Sequence, residues 1–441
     1  MDNQKYYREL LEDVLKFKSI STDKQYADGI ESTVLWLENL FKTNGFEVVV
    51  TRGFGNPIVV AKIVVDEKLP TCLVYGHYDV QPAEMADGWK SEPFTLTERD
   101  GRLFGRGVVD NKGQVLIHMA TVFQLLKDNK LNQNVKFMIE GDEETGSPLM
   151  EKFVKENKEL LKADYSLISD GEMNIESPVI EAGFRGGLNS TLTIRSAKAD
   201  QHSGIFGGAI PNSAAIMASV LSKIIDDSGK VTVPSFFEKV DTIEGKIKEN
   251  NENLPFNDGE YMKVAGVNYL TKVQGVDVMS QVGLLPTIQI TGLNSGYVGE
   301  GYRNSVPSVT TAKLNFRLVK SQVPEEIIEQ FRKYLGEIIP VGTEWKWETT
   351  ESYEGIKLDL DNEIVRKTEK ILSEAYGKKV VYKFSGGGLP IVTLFAQELE
   401  MPNVLVPLGN EDCAMHSVDE NFDLSYLEKA LLFSNEFFIS K

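Results

Sequence analysis

The chain has 441 residues, of which 41% are hydrophobic and 25% are charged, as is usual for a soluble globular protein. Its length predicts two or three domains, and its formal net charge of −18 argues against nucleic-acid binding, which needs clustered lysine and arginine. No apolar stretch is long enough to cross a bilayer, and the polar start lacks a signal-peptide core, so we expect a cytoplasmic protein.

The first part of the chain alternates predicted helices and strands. Apolar residues at helical spacing predict helices, and short apolar runs predict strands. The predicted helices are Tyr6–Phe17, Ile30–Phe41, Gln114–Leu126 and Pro148–Glu156, and the strands are Phe46–Thr51, Pro57–Val65, Thr71–Tyr75, Val135–Ile139 and Tyr165–Ser169. Nearly continuous apolar strands between helices predict an α/β fold with a mostly parallel sheet, covered by helices on both faces.

The pattern changes after about Gly183. Apolar and polar residues alternate along Leu188–Ser196 and Ala312–Leu318, which predicts strands with one solvated face. Further predicted elements are the strands Thr287–Thr291 and Thr343–Thr349 and the helices Ser213–Ile225 and Pro324–Ile338. These elements predict an α+β unit, in which residues 227–281 have little pattern.

The α/β pattern returns after about Glu354. It consists of the helices Asn362–Ala375 and Leu424–Phe438 and the strands Lys379–Lys383 and Val404–Pro407. We therefore predict a catalytic domain formed by residues 1–183 and 351–441, interrupted by an inserted α+β domain at residues 184–350.

Three apolar runs of the α/β part end in polar residues that suit a metal ion. His77 follows the first run, Glu143 and Glu144 follow the second, and Asp170 follows the third. Ligands bind beyond the carboxyl ends of the strands in open α/β sheets, so these side chains are expected in one crevice. The sequence predicts a metal-dependent hydrolase.

Each of these residues, and Asp110, which lies between the first two runs, also has a simpler interpretation. His77 could be a surface histidine beside a turn. Asp110 follows a glycine-rich turn and precedes a predicted helix, where aspartate is a common N-cap. Glu143 and Glu144 could belong to an acidic loop, or one could bind metal while the other acts as a base. Asp170 could be a turn residue.

The chain has only four histidines, two of which are His77 and His118. His77 begins a His-Tyr-Asp sequence, in which Asp79 could orient the imidazole. His118 lies in an apolar helical run, so we predict a packed structural histidine. We expect both Cys72 and Cys413 to be buried thiols.

Five motifs together resemble the M20 metallopeptidase family over nearly the whole chain. They are Gly76-His77-Tyr78-Asp79-Val80-Gln81-Pro82, Gly105-Arg106-Gly107 through Asp110-Asn111-Lys112-Gly113, Glu140-Gly141-Asp142-Glu143-Glu144-Thr145-Gly146-Ser147, Ser169-Asp170-Gly171 and Met415-His416-Ser417. Within the family, the chain looks closest to the carnosinase-like, non-specific dipeptidase branch.

The resemblance implies two divalent ions per subunit, Zn²⁺ or Mn²⁺, with Co²⁺ a third candidate. His77 and Asp170 would hold one ion, Glu144 and His416 the other, and Asp110 would bridge them. Glu143 would be the general base on the metal-bridging water, with Asp79 supporting His77.

The resemblance also implies substrate-binding residues and a partner. In relatives a lid histidine, here His202, reaches the active site of the neighbouring subunit, which implies a homodimer through the inserted domain. Arg317 matches a residue that binds the substrate carboxylate, and Asn304 falls where a hydroxyl side chain is common.

The sequence departs from the family pattern at two positions. Gly388 stands where dipeptidases of this branch usually have a substrate-binding serine, which puts the substrate in doubt. Asn111 replaces the second acid of a common Asp-Asp pair, without loss of an expected ligand.

We therefore expect an enzyme that cleaves the amide bond of dipeptides or short peptides with a free carboxylate. The alternatives are an N-acyl amino acid deacylase or desuccinylase on the same scaffold and a metal-binding protein without catalysis. The presence of Glu143 disfavours the last of these.

Overall fold

The computed structural model describes residues 3–173, 177–254, 256–350, 352–387 and 390–440. The chain divides into two compact units. Unit 1 comprises Met1–Glu181, Leu358–Tyr382 and Pro390–Lys441, and unit 2 comprises Ala182–Lys357 and Lys383–Leu389. The predicted domain limits differ by a few residues from these units at both boundaries, and Lys383–Leu389, which was predicted to lie in the catalytic domain, belongs to unit 2. The assignment of a catalytic and an inserted domain stays a prediction.

Unit 1 is built on a mixed sheet with a parallel centre. In spatial order its strands are Glu47–Thr51, Ile58–Ile63, Asn134–Glu140, Thr71–His77, Tyr165–Ile168, Asn403–Leu405 and Val179–Phe184, the last of which continues into unit 2. The three central pairings are parallel and the outer pairings are antiparallel. The central strands are buried along almost their whole length, as their continuous apolar runs require.

Helices cover this sheet. They are Asn3–Leu15, Ala27–Thr43, Lys112–Lys127, Met150–Glu156, Lys158–Leu161, Glu363–Tyr376, Pro390–Glu398 and Leu424–Ile439. The ring of Phe41 lies 5.8 Å from that of Phe123 and 5.2 Å from that of Phe137, which joins two helices to the sheet. Helix Lys112–Lys127 is buried on nearly every side and therefore holds the loop before it in a fixed place.

A small antiparallel sheet lies beside the glycine-rich loop of unit 1. It pairs Arg102–Phe104 with Thr97–Arg99 on one side and with Asn421–Asp423 on the other. It thus joins two segments that are about 300 residues apart in the chain, and the sequence analysis did not predict it.

Unit 2 contains a four-stranded antiparallel sheet. The strand order is Thr287–Ser295, Val309–Leu318, Gly186–Arg195 and Glu344–Thr349. Helices Ser213–Ser222 and Pro324–Ile338 contribute to one apolar core with this sheet, in which the ring of Phe331 lies 5.0 Å from those of Phe316 and Trp347. Burial alternates along the two central strands, as predicted for a sheet with one solvated face.

The weakly patterned stretch of unit 2 contains three short helices, Gly245–Glu252, Asp258–Ala265 and Val278–Leu284. No residue of the second helix is buried, which explains why it shows no apolar stripe. The predicted fold class is confirmed, since an α/β unit with a mostly parallel central sheet accompanies a separate antiparallel sheet with helices. Among the described residues, no helix is long and apolar enough to cross a membrane.

Candidate active site

The polar ends of three neighbouring parallel strands meet at one edge of the sheet. His77 and Glu140 are register partners at the ends of their strands, and Asp170 follows the strand Tyr165–Ile168. Parallel register places these ends side by side, as the sequence analysis expected.

Two groups of side chains at this edge could each hold a metal ion. The first is His77, Asp110 and Asp170, and the second is Asp110, Glu144 and His416. The structure thus brings together all five predicted ligands, with Asp110 common to both groups.

Asp110 directs one carboxylate oxygen toward each group. Its Oδ1 lies 3.0 Å from His77 Nε2, and its Oδ2 lies 2.8 Å from His416 Nε2. Burial opposes its ionisation, but His416 and His77 outweigh this effect and hold the pKa of Asp110 well below its ordinary value. The N-cap interpretation of Asp110 is wrong, because the helix begins after Asn111 and has no side-chain cap.

The donor set fits divalent cations. The buried Nε2 of His77 has no hydrogen-bond partner in the described structure, although a carboxylate oxygen lies within 3.0 Å. Buried polar atoms nearly always have a hydrogen-bond partner, so the unpaired nitrogen of His77 has to be accounted for. Two ligands of the same cation lie this close to each other without a hydrogen bond between them. Imidazole and carboxylate ligands together suit zinc, manganese or cobalt.

Asp79 supports both His77 and the loop that carries the two glutamates. Its Oδ1 lies 3.3 Å from His77 Nδ1, and its main-chain oxygen lies 3.0 Å from the same nitrogen. Its carboxylate also accepts the main-chain N–H groups of Glu143 and Glu144 at 3.3 and 3.1 Å. Such contacts orient metal-binding histidines and raise their basicity.

Glu143 and Glu144 point in different directions from a short 3₁₀ turn. Glu144 Oε2 lies 3.1 Å from His416 Nε2 and accepts a 2.7 Å hydrogen bond from Gln81. Glu143 belongs to neither ligand group, and its Oε2 lies 3.9 Å from His77 Nε2. Burial and the charge of Asp110 raise the pKa of Glu143, which suits a proton-accepting group.

His416 and Asp170 complete the two groups in different surroundings. His416 has a half-exposed side chain and a positive φ of 58°, a conformation that costs energy for a residue with a side chain. Asp110 and Glu144 raise the pKa of His416 to about 10. Burial, with the charge of Asp110, raises the pKa of Asp170 to about 7. Bound cations would relieve this crowding of like charges.

Asn111 links two of the strand ends. Its Oδ1 accepts the main-chain N–H of His77 at 3.3 Å, and its Nδ2 donates to the main-chain oxygen of Ser169 at 2.7 Å. A Cβ on Gly76 would lie 2.7 Å from Asn111 Oδ1, so this contact requires glycine at position 76. Both polar atoms of the Asn111 amide are therefore used in contacts with the main chain.

His118 is a packed structural residue, as predicted. It is fully buried, with Nδ1 3.0 Å from Ser434 Oγ and Nε2 2.8 Å from Ser169 Oγ. Burial lowers its pKa to about 3, so the ring stays neutral. Cys72 and Cys413 are also buried, as expected.

The residue that supports the Asp110 loop was not predicted from the sequence. Glu420 is fully buried, and its carboxylate accepts four hydrogen bonds from this loop. Its only signal in the sequence is a position four residues after His416, just beyond the Met415-His416-Ser417 motif.

The remaining predicted site residues belong to unit 2. His202 is exposed, and its Nδ1 accepts the main-chain N–H of Gly204 at 3.0 Å. Asn304 is also exposed, and Arg317 donates a 3.0 Å hydrogen bond to the hydroxyl of Tyr353. Gly388 lies outside the described residues.

The chain belongs to peptidase family M20/M25/M40, whose family model matches residues 73–438, and it is an M20-type metallopeptidase. The Beta-Ala-His dipeptidase of Rattus norvegicus is 29% identical over 387 residues, which cover 86% of this chain and 78% of that protein. The Cys-Gly metallodipeptidase DUG1 of Candida albicans is 27% identical over 441 residues, covering 95% and 90%.

A solved structure has the same fold over the whole chain. It is the M20 family metallo-carboxypeptidase Sso-CP2 from Sulfolobus solfataricus, with a TM-score of 0.80, 28% identity and 98% of each chain covered. Together these comparisons confirm the predicted family and the placement beside carnosinase-like dipeptidases.

Proposed function

We propose that this protein hydrolyses dipeptides or short peptides with a free carboxylate, using two divalent metal ions. The observation that carries the proposal is the pair of ligand groups sharing Asp110, with Glu143 beside them but outside both. The names of the two dipeptidase relatives support the substrate class.

His77, Asp110 and Asp170 would hold one ion, and Asp110, Glu144 and His416 the other, with Zn²⁺ or Mn²⁺ preferred and Co²⁺ a third candidate. When bound, such a pair of ions supplies a nucleophilic water at neutral pH and polarises the scissile carbonyl.

Glu143 is the proton carrier of the proposed reaction. Its carboxylate accepts the proton of the attacking water and passes it to the leaving amine. The hydrogen bond from the main-chain N–H of Glu143 to Asp79 holds the turn that carries it in place. Its raised pKa brings it closer to working pH, at which proton transfer in both directions is efficient.

Arg317 is the proposed binder of the substrate carboxylate. Within the described part of the chain, its only hydrogen bond goes to the neutral hydroxyl of Tyr353, so its guanidinium keeps donors for an anion. A bidentate pair with a terminal carboxylate would favour short peptides over internal protein segments. Asn304 and Gly388 are proposed to line the same substrate site.

His202 is proposed to stabilise the oxyanion in a homodimer formed through unit 2. The strand Thr287–Ser295 has only one partner strand in the described part of its sheet, and it exposes Ile290 and Leu293. An exposed edge with apolar side chains is suited to pairing with another chain. Dimerisation would let the exposed His202 serve a neighbouring subunit.

The test is a substrate panel assayed with metal-free protein reloaded separately with Zn²⁺, Mn²⁺ and Co²⁺. The panel pairs dipeptides with N-acetyl and N-succinyl derivatives of the same amino acids, and the Glu143→Gln variant is the control for contaminating activity. We expect metal-dependent cleavage of dipeptides. Cleavage of the N-acyl compounds alone would make the protein a deacylase, and no cleavage with two ions bound would leave a metal-binding protein.

A further inference from the structure

A buried carboxylate ties together the two loops that present Asp110 and His416. Glu420 Oε1 accepts the main-chain N–H groups of Val109 and Asp110 at 2.9 and 3.0 Å. Its Oε2 accepts the N–H of Gly107 at 3.0 Å. Three main-chain donors converging on one carboxylate form an anion nest, which here is filled by a side chain of the same protein.

Arg106 also binds the Glu420 carboxylate and connects it to the loop of His416. Its Nη1 donates to Glu420 Oε2 at 2.7 Å, and its Nη2 donates to the main-chain oxygen of Ser417 at 3.2 Å. The main-chain N–H of Gly105 donates to the oxygen of Glu420 at 3.1 Å. Arg106 and Glu420 are both buried, so these charge-assisted bonds are shielded from water.

These contacts hold more members of the second ligand group (Asp110, Glu144 and His416) than of the first (His77, Asp110 and Asp170). Asp110 donates directly to Glu420, and His416 precedes the residue whose oxygen Arg106 binds. Two of the three members of the second group therefore depend on Glu420, but only one member of the first group does. The positive φ of His416 also needs a loop that is held from outside.

We propose that Glu420 is a positioning residue that sets how tightly the group of Asp110, Glu144 and His416 holds its cation. This inference rests on the proposed dinuclear function. The carboxylate of Glu420 bonds to the main-chain N–H of Asp110 and not to its side chain, so it acts through the backbone of Asp110 and through the loop of His416.

The first test measures Mn²⁺ and Co²⁺ binding to metal-free protein by titration calorimetry. In Glu420→Gln the side-chain shape is kept, but an amide N–H₂ must face either Arg106 or two main-chain N–H groups. We expect the ion of the second group, identified as the one that Glu144→Gln loses, to bind about 10–100-fold more weakly, as is usual when an outer contact of a metal ligand is removed. The affinity for the other ion should change less, and excess Mn²⁺ should restore kcat with KM unchanged.

The control must separate positioning from a general loss of stability. Val404→Ala removes buried apolar volume from a central strand and leaves every polar contact of Glu420 in place. It should lower Tm while both ions bind as in the wild-type protein. If Glu420→Gln does not fold, Arg106→Lys replaces it in the test. This variant keeps the positive charge but loses the guanidinium nitrogen that donates to the main-chain oxygen of Ser417.

The titrations distinguish a failure of this inference from a failure of the proposed function. Two ions in the wild-type protein and unchanged affinities in Glu420→Gln would overturn this inference and leave the proposed function in place. Equal weakening of both ions would also overturn it, since the effect would then not be selective. A wild-type protein that binds fewer than two ions would remove the proposed function itself.

Discussion

The carboxylate of Asp79 accepts the main-chain N–H of Glu144 at 3.1 Å, although 65 residues separate them in the chain. Asp79 also lies 3.3 Å from His77 Nδ1, so one side chain fixes a ligand of each metal group. A change at Asp79 should therefore affect both groups together, unlike a change at Glu420.

Asp79→Asn should weaken binding of both ions by about 10–100-fold, because an amide cannot accept at both oxygen positions. Calorimetric titration with Mn²⁺ measures this effect. Asp142→Asn is the matched control, since Asp142 lies on the same loop but accepts from Asn56 at 2.6 and 2.7 Å instead. Equal losses in the two variants would mean that loop disruption, and not support of His77, explains the effect.

Glu143→Gln should keep both ions and lower kcat by about 10²–10⁴-fold, because a proton carrier is lost while the ligand groups remain complete. The adjacent Glu144→Gln should instead lose the ion of the second group. Metal content and kcat, measured on the same samples, distinguish the two variants. Wild-type turnover in Glu143→Gln would rule out its role as the base.

Arg317→Met should raise KM for dipeptides by about 10–100-fold, which corresponds to the roughly 1.5–3 kcal/mol of a hydrogen bond to a charged group. Dipeptide amides lack the carboxylate, and their cleavage should change little. Tyr353→Phe removes the neutral partner of Arg317 and should have a small effect on both substrates. A similar loss for amides and free dipeptides would speak against carboxylate recognition.

His118 should make stability depend on pH. Its pKa is lowered from 6.5 to about 3 by burial, so the unfolded chain binds a proton between these values and the folded chain does not. The stabilisation is complete above pH 6.5 and is lost as pH falls toward 3, which amounts to about 2 kcal/mol between pH 7 and pH 5.

Urea unfolding of the metal-loaded wild-type protein and of His118→Gln at both pH values measures this loss. The variant cannot titrate at position 118 and should lose about 2 kcal/mol less than the wild-type protein over this range. Parallel pH profiles in the two proteins would assign the acid sensitivity to other groups.

Leu293→Lys should break the proposed homodimer into monomers, because it places a charge on the exposed edge strand through which we propose that the dimer forms. Sedimentation velocity measures the change. Val264→Lys is the control, as Val264 is 90% exposed on a helix outside that strand. A dimer that persists in Leu293→Lys would place the interface elsewhere.

The strand ends of unit 1 could be predicted because each apolar run stops at a polar residue. His77 and Asp170 show this pattern, and the parallel register then determines that they meet. Glu420 could not be found in this way, because its partners lie more than 300 residues away and no local pattern marks them. The helix Asp258–Ala265 was missed since it buries no face and so has no period.

The amide of Asn111 lowers the negative charge of the candidate metal site. An ionised aspartate could not donate to the oxygen of Ser169, as Asn111 does at 2.7 Å. Asparagine therefore supplies this link and removes one negative charge from a site in which Asp79, Asp110 and Asp170 already crowd together. With the two proposed cations bound, the site would be one charge unit more positive than with aspartate, which would favour the proposed substrate carboxylate and the negative charge that develops on the carbonyl oxygen.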